Sequence, residues 1–150
     1  MSEIIFGYVL DPQSATIARV EVDRNAVLLT LYRIIGCDTV DVVEIDAKHD
    51  LWVNDNGWLA PCKAAIGPAP NAQRRFFAGT GVVFAHDADG NCASPHFTPV
   101  HFAGLFEAIQ PVISADFTGT VTATVDGVTH IHMPAEYRVH LQRQSFSPVP

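Results

Sequence analysis

Two histidines, His130 and His132, stand two positions apart just after Asp126-Gly127 in the stretch VTHIHM. Neutral imidazole is the commonest protein metal ligand, and a catalytic zinc needs three such ligands plus an open position that activates water. On a strand, side chains at i and i+2 share a face with their bases roughly 6.5–7 Å apart, a gap two rings can close around one ion. Asp-Gly between alternating runs signals a two-residue hairpin loop. That loop pairs Val125 with Val128, Ala123 with His130, Val121 with His132 and Thr122 with Ile131. Both histidines then share one face, opposite aliphatic partners that supply no ligand. A third ligand must arrive from elsewhere, from His96, His101, His140 or Cys92. A small metal-dependent hydrolase or metal-binding protein is therefore one reading of the chain, and a wet strand face is the other. Elemental analysis of untagged protein separates them.

Other chemistry-bearing patterns fail on spacing. HDADGN at 86–91 resembles a calcium loop, but its glycine is the fourth residue from Asp87 and the twelfth is Thr98, whereas an EF-hand needs Gly at six and Glu at twelve. The pair Gly79-Thr80-Gly81 lacks the third glycine of a dinucleotide loop and suits a bulge or a close backbone approach instead. No G-x-S-x-G elbow surrounds any serine, and Asp41, Glu44 and Asp46 alternate with apolar residues like the wet side of a strand. These failures argue against a catalyst and call for no cofactor.

The elements that must position such residues are legible in part. Ile4 to Leu10 is rich in β-branched and aromatic types and stops at Asp11-Pro12, and Thr16 to Val22 returns antiparallel to it. Val27, Leu28, Leu31, Ile34 and Ile35 fall on one helical face, capped by Asp23 or Asn25 and ended by Gly36. Strands follow over 39–45 and 51–53, and Asn54-Asp55-Asn56-Gly57 reads as a hairpin tip before Trp58 and Leu59. Phe76 to Ala85 is a further strand. Thr98-Pro99 opens a second helix whose face is Phe102, Leu105, Phe106 and Ile109, with Pro111 at its end. The order predicts an α+β fold: an antiparallel or mixed β-sheet with two α-helices packed on it, plus a C-terminal β-hairpin. One domain over 1–150 is expected, with an α+β core at 1–110, a hairpin extension at 111–144 and a loose tail at 145–150.

Charge and composition narrow the partners. A net charge of -7 repels phosphate backbones, so direct nucleic-acid binding is not expected. Charged residues are 17% of the chain against about 25% in an ordinary domain, and that thin polar surface predicts a homo-oligomer or a covered apolar patch. Three widely spaced cysteines fit reduced thiols in a cytoplasm, and the opening MSEIIFGYVLDP carries neither a signal-peptide pattern nor a membrane span. The polar tip with Asn54 and Asp55, flanked by Trp52 and Trp58, is the candidate contact surface, because exposed aromatics give rigid anchoring area. The competing reading places both tryptophans in the core.

Residues 5–106 resemble the domain of unknown function 3846 family, small proteins common in phages and other mobile elements. The resemblance is carried by the strand ending in Asp11-Pro12, the strand 18–22, the helix closing LYRIIG, then DTVDVVEI, LWVNDNG and FAGTGVVFAHDADG. Asn54, Asp55 and Gly57 match the family's N-[DE]-x-G turn, and Gly36 and Gly79-Thr80 match their counterparts. Cys37 replaces a second helix-ending glycine, and no asparagine stands near Cys62-Lys63. The resemblance implies a mobile-element origin and a bacterial cytoplasm, with no known chemistry. The expected role is a non-enzymatic accessory protein that binds a host protein or a small host-made molecule, as in counter-defence.

Overall fold

The computed structural model describes residues 2–59, 61–68, 75–117, 119, 121–132 and 135–150. The chain clusters into two compact units, one of Met1–Gln110 with Arg143–Pro150 and one of Pro111–Gln142.

The first unit is built on a sheet of β1 (Ile4–Asp11), β2 (Thr16–Asp23), β3 (Val40–Glu44), β4 (His49–Asn54), β7 (Gly81–His86), β8 (Cys92–Ala93) and β13 (Ser147–Pro148). Their order is β13-β2-β1-β7-β4-β3, with β8 also paired to β7. β1 and β2 pair antiparallel through all eight residues, from Ile4 opposite Asp23 to Asp11 opposite Thr16. Because successive side chains point to opposite faces, this sheet feeds two cores. Ile5, Val22, Val82 and Phe84 face α1 (Val27–Ile35), whose Leu31 is buried among them. Tyr8, Leu10, Ile17, Leu51, Val53 and Val83 face the other way, onto Ile66, Phe77, Phe102 and Phe106. Covering both faces explains why the central strand β7 reads GVVFA without alternation.

That second layer includes β5 (Ala65–Gly67) and β6 (Phe77–Ala78), which belong to a sheet ordered β12-β9-β5-β6 with β9 (Glu107–Phe117) and β12 (Ala135–Ser145). Ala65 pairs with Ala78 on one side and Ile109 on the other.

Several expectations hold. The Asp23 carboxylate accepts from the Asn25 N–H at the start of the helical segment, and Gly36 ends α1 at φ 76°, returning its N–H to the Tyr32 carbonyl. Three expectations do not. The second helix is one turn, α2 (Pro99–Ala103). From Glu107 onward its supposed apolar face continues as strand β9, so Ala108 and Ile109 are buried as strand residues. Asn54–Gly57 is not a hairpin tip, because β4 pairs with β3 and β7, and the chain enters a 3-10 turn at Gly57–Leu59. The tail is not loose. Phe146 is buried in the core, and Ser147 and Val149 donate to the Ala15 and Ile17 carbonyls, which adds β13 in parallel to β2.

The second unit holds the outer lengths of β9 and β12 and the hairpin β10 (Val121–Val125) and β11 (Val128–His132). The hairpin has the expected register, with Val125 opposite Val128, Ala123 opposite His130 and Val121 opposite His132. Asp126 and Gly127 both take positive φ, 53° and 77°, as a type I′ loop requires. None of the described helices is long and apolar enough to cross a membrane.

Candidate functional site

Five turns that are far apart in sequence close around one cleft of about 360 Å³ in the first unit. β1 ends there at Asp11-Pro12, α1 at Ile35-Gly36, β4 at Asn54, and β6 at Ala78-Gly79-Thr80; the segment Pro61–Ala64 completes the wall. Each turn has a local cause. The Asp11 carboxylate accepts from the Gln13 N–H at 3.0 Å, an Asx turn that starts the β1–β2 connection. Gly79 sits at φ 82°, breaking what would be one strand into β6 and β7, and its N–H reaches the Ala64 carbonyl at 2.9 Å. Gly57 is buried, and a Cβ there would stand 3.0 Å from the Ala78 Cβ and carbonyl oxygen, so the backbones meet with no room for a side chain.

The cleft offers Asp11, Gln13, Asn54, Lys63 and Thr80 as polar groups above an apolar wall that includes Ile35 and Pro61. One carboxylate and one ammonium leave it close to neutral, with amide, hydroxyl and glycine backbone groups for directional contacts. Asn54 Oδ1 already accepts from the Asn56 N–H at 2.9 Å, so the amide's remaining donor is Nδ2. Such a site, a small recess with a few convergent polar groups, suits a small molecule.

Of the residues singled out from sequence, Asn54 lines this cleft. Asp55 is exposed, with its N–H donating to the Thr39 carbonyl at 3.2 Å. The two tryptophans part company. Trp52 packs against the core under α1, where its buried Nε1 has no hydrogen-bond partner among the described residues. Trp58 is 63% exposed beside Leu59 at 84%, and its Nε1 donates to the Phe76 carbonyl at 3.3 Å. What the sequence did not expose was Asp11, Gly36 and Gly79-Thr80 as parts of one site; each read as a local turn signal.

His130 is exposed on β11, and the side chain of His132 lies outside the described residues. Among the described residues, no three His, Cys, Asp or Glu side chains gather as a metal would require. The remaining histidines serve other ends. His49 is 1% exposed, its Nδ1 lies 2.9 Å from Asp46 Oδ1, and its Nε2 accepts the His96 N–H at 3.1 Å, so Nδ1 carries the proton toward Asp46. Burial pushes the Asp46 carboxyl up, but N–H groups of Lys48 and His49 and the His49 ring outweigh it and hold the carboxyl below the usual range. Burial pushes the Cys37 and Cys92 thiols up, which keeps them protonated and poorly nucleophilic at neutral pH.

His86 Nδ1 lies 2.7 Å from Asp50 Oδ2, and that hydrogen bond raises the histidine above its ordinary value. A raised folded-state value adds stability that is complete below the unfolded value, about 6.5, and disappears as pH rises through the folded one. The melting temperature of the native chain should therefore exceed that of His86→Gln by most near pH 5.5, with the gap shrinking above neutrality. A gap that grew with pH would contradict the assignment.

A second cavity of about 580 Å³ lies beside α1, between Leu28, Leu31, Trp52 and Arg24. Arg24 is already matched by Glu3 at 3.0 Å and by Asp87, so this cavity presents no uncompensated cation.

The comparisons with known proteins bear on the same unit. A curated relative, "Uncharacterized protein y4iR" of Sinorhizobium fredii (strain NBRC 101917 / NGR234), is 26% identical over 142 residues, covering 92% of this chain and 84% of the relative. No solved structure matches. The family model described as "Domain of unknown function (DUF3846)" matches residues 5–107, which hold Gly36, Asn54, Gly57 and Gly79-Thr80 of the cleft; the chain belongs to the DUF3846 family.

Proposed function

We propose that this chain is a non-enzymatic accessory protein of a phage or other mobile element, working in a bacterial cytoplasm, that holds a small host-made polar molecule in the Asp11–Asn54–Thr80 cleft. One observation carries the reading: of the turn residues that mark the family resemblance, all but Asp55, namely Asp11-Pro12, Gly36, Asn54, Gly57 and Gly79-Thr80, are spread over some seventy positions and line a single cleft. Three of them are glycines, and at Gly36 and Gly79 a Cβ would meet nothing within 4 Å, so space does not demand glycine there. Positive φ does, and the resulting turns carry the backbone around the recess. Near-neutral lining favours an uncharged or zwitterionic ligand over a phosphate-rich one.

Binding to the folded state alone raises stability by RT ln(1 + [L]/Kd). The melting temperature should therefore rise on adding the small-molecule fraction of a bacterial extract, and fractionating the extract should concentrate that effect. No shift with any fraction at millimolar total metabolite would count against the reading. A second reading, capture of a host protein, is favoured by the exposed pair Trp58 and Leu59; Trp58→Ala should then abolish capture and leave the extract-induced shift intact.

A further inference from the structure

The described residues of the second unit show no buried apolar side chain. Ile113, Val125, Val128, Tyr137, Val139 and Leu141 are each more than half exposed. A unit of about this size with so little described burial usually relies on a disulfide, a metal or association, and it contains no cysteine. The residues of β12 from Glu136 to Ser145 are all exposed, and the strand stands at the end of its sheet order, with β9 as neighbour. Eleven residues of open edge, about 36 Å long at 3.3 Å per residue, carry no proline and no lysine to discourage pairing.

The faces of this strand are sorted. Ser114 Oγ lies 3.1 Å from His140 Nε2, and Arg138 Nε lies 3.7 Å from Asp116 Oδ2, so His140 and Arg138 of β12 share a polar face with Ser114 and Asp116 of β9. Tyr137, Val139 and Leu141 therefore lie on the opposite face with Ile113, and all four are exposed.

We propose that β12 pairs antiparallel with β12 of a second copy of this chain, about a two-fold axis at His140. The sequence of the strand is complementary to itself in that register. Val139 falls opposite Leu141 of the second copy, Arg138 opposite Gln142, Tyr137 opposite Arg143 and His140 opposite its own counterpart, so the central aliphatic pair is apolar and no two arginines or carboxylates are opposed. A shift to an axis at Arg138 would set two guanidiniums against each other. Pairing about a two-fold uses the free edge of both copies at once, giving a closed dimer rather than a fibre.

Native mass spectrometry and sedimentation velocity of the full chain at micromolar concentration read the result. The native chain should be a dimer. Val139→Glu and Leu141→Lys should each be at least tenfold weaker dimers, because a lone charge lands against an aliphatic partner. Mixing the two variants should restore a heterodimer, since Glu at 139 of one copy then faces Lys at 141 of the other. Circular dichroism melting of each variant checks that the larger unit stays folded, and the mixing step distinguishes lost pairing from lost folding. A monomeric native chain, or variants that dimerise like the native chain, would overturn the proposal. So would monomeric variants whose mixture stays monomeric, because the register predicts their rescue.

Discussion

Phe102→Ala is expected to cost about 3–5 kcal/mol of folding stability, the usual cost of emptying a buried aromatic site. Phe102 is 0% exposed although it stands on a single helical turn, α2. Its ring lies 5.7 Å from Tyr8 on β1 and 5.1 Å edge-on to His49 on β4, so it joins the loop after β8 to two strands of the main sheet. The surroundings cannot collapse cheaply into the vacated space. His49 is fixed at both nitrogens by Asp46 and the His96 N–H, and Tyr8 is held by its hydroxyl donating to the Phe97 carbonyl at 2.9 Å. Chemical denaturation of native and variant chains measures the difference. A loss below about 1 kcal/mol, less than a single buried methylene's worth with its cavity, would mean that α2 is not a structural plug.

Gly79→Val is expected to cost about 1–3 kcal/mol, the range for a non-glycine residue forced into a sparsely populated backbone region, and to abolish ligand capture as well. At φ 82° a β-branched side chain is strongly disfavoured. The backbone relieves that strain by straightening toward one continuous strand, which removes the step between β6 and β7 and with it one wall of the cleft. Gly79→Asn is the control, because asparagine tolerates positive φ; it should keep most of the stability and the binding. If valine and asparagine behaved alike, the wall would not depend on this turn.

Where the chain's message is local, it was readable. The β1–β2 pair follows from alternation that stops at Asp11-Pro12, and the β10–β11 register follows from Asp126-Gly127, because a two-residue loop leaves one pairing. The helix Val27–Ile35 follows from its single apolar face and Gly36. The second helix differs from its expectation for a physical reason. Phe102, Leu105, Phe106 and Ile109 satisfy helical spacing, but Gly104 ends the turn, Phe106 is buried just before β9, and Ala108 and Ile109 find burial on that strand beside β5. The spacing of four apolar residues cannot say which partner will cover them. The tail departs from expectation likewise: Phe146 among serines and prolines has no periodicity, and its burial depends on a slot beside β2 that only the assembled sheet provides.

The candidate site was legible only as fragments. In the sequence Asn54 reads as part of a polar tip with Trp52 and Trp58 as its anchors, yet alternation along β4 sends Trp52 to the α1 side. Asp11, Gly36 and Gly79 each announced a turn and nothing more. Their meeting depends on the strand order β2-β1-β7-β4, which places the end of β1 near the ends of β4 and β6. No pattern along the chain encodes that order directly.

The measurement that bears most directly on the binding account is native mass spectrometry of the untagged full chain after incubation with the small-molecule fraction of a bacterial extract, run beside Thr80→Trp. Thr80 lines the cleft and is half-buried, so an indole there fills the recess without touching the fully buried core. The account predicts a discrete mass adduct on the native chain that is absent from a Thr80→Trp chain of unchanged melting temperature. An adduct of equal occupancy on both chains, or none on the native chain, would contradict it.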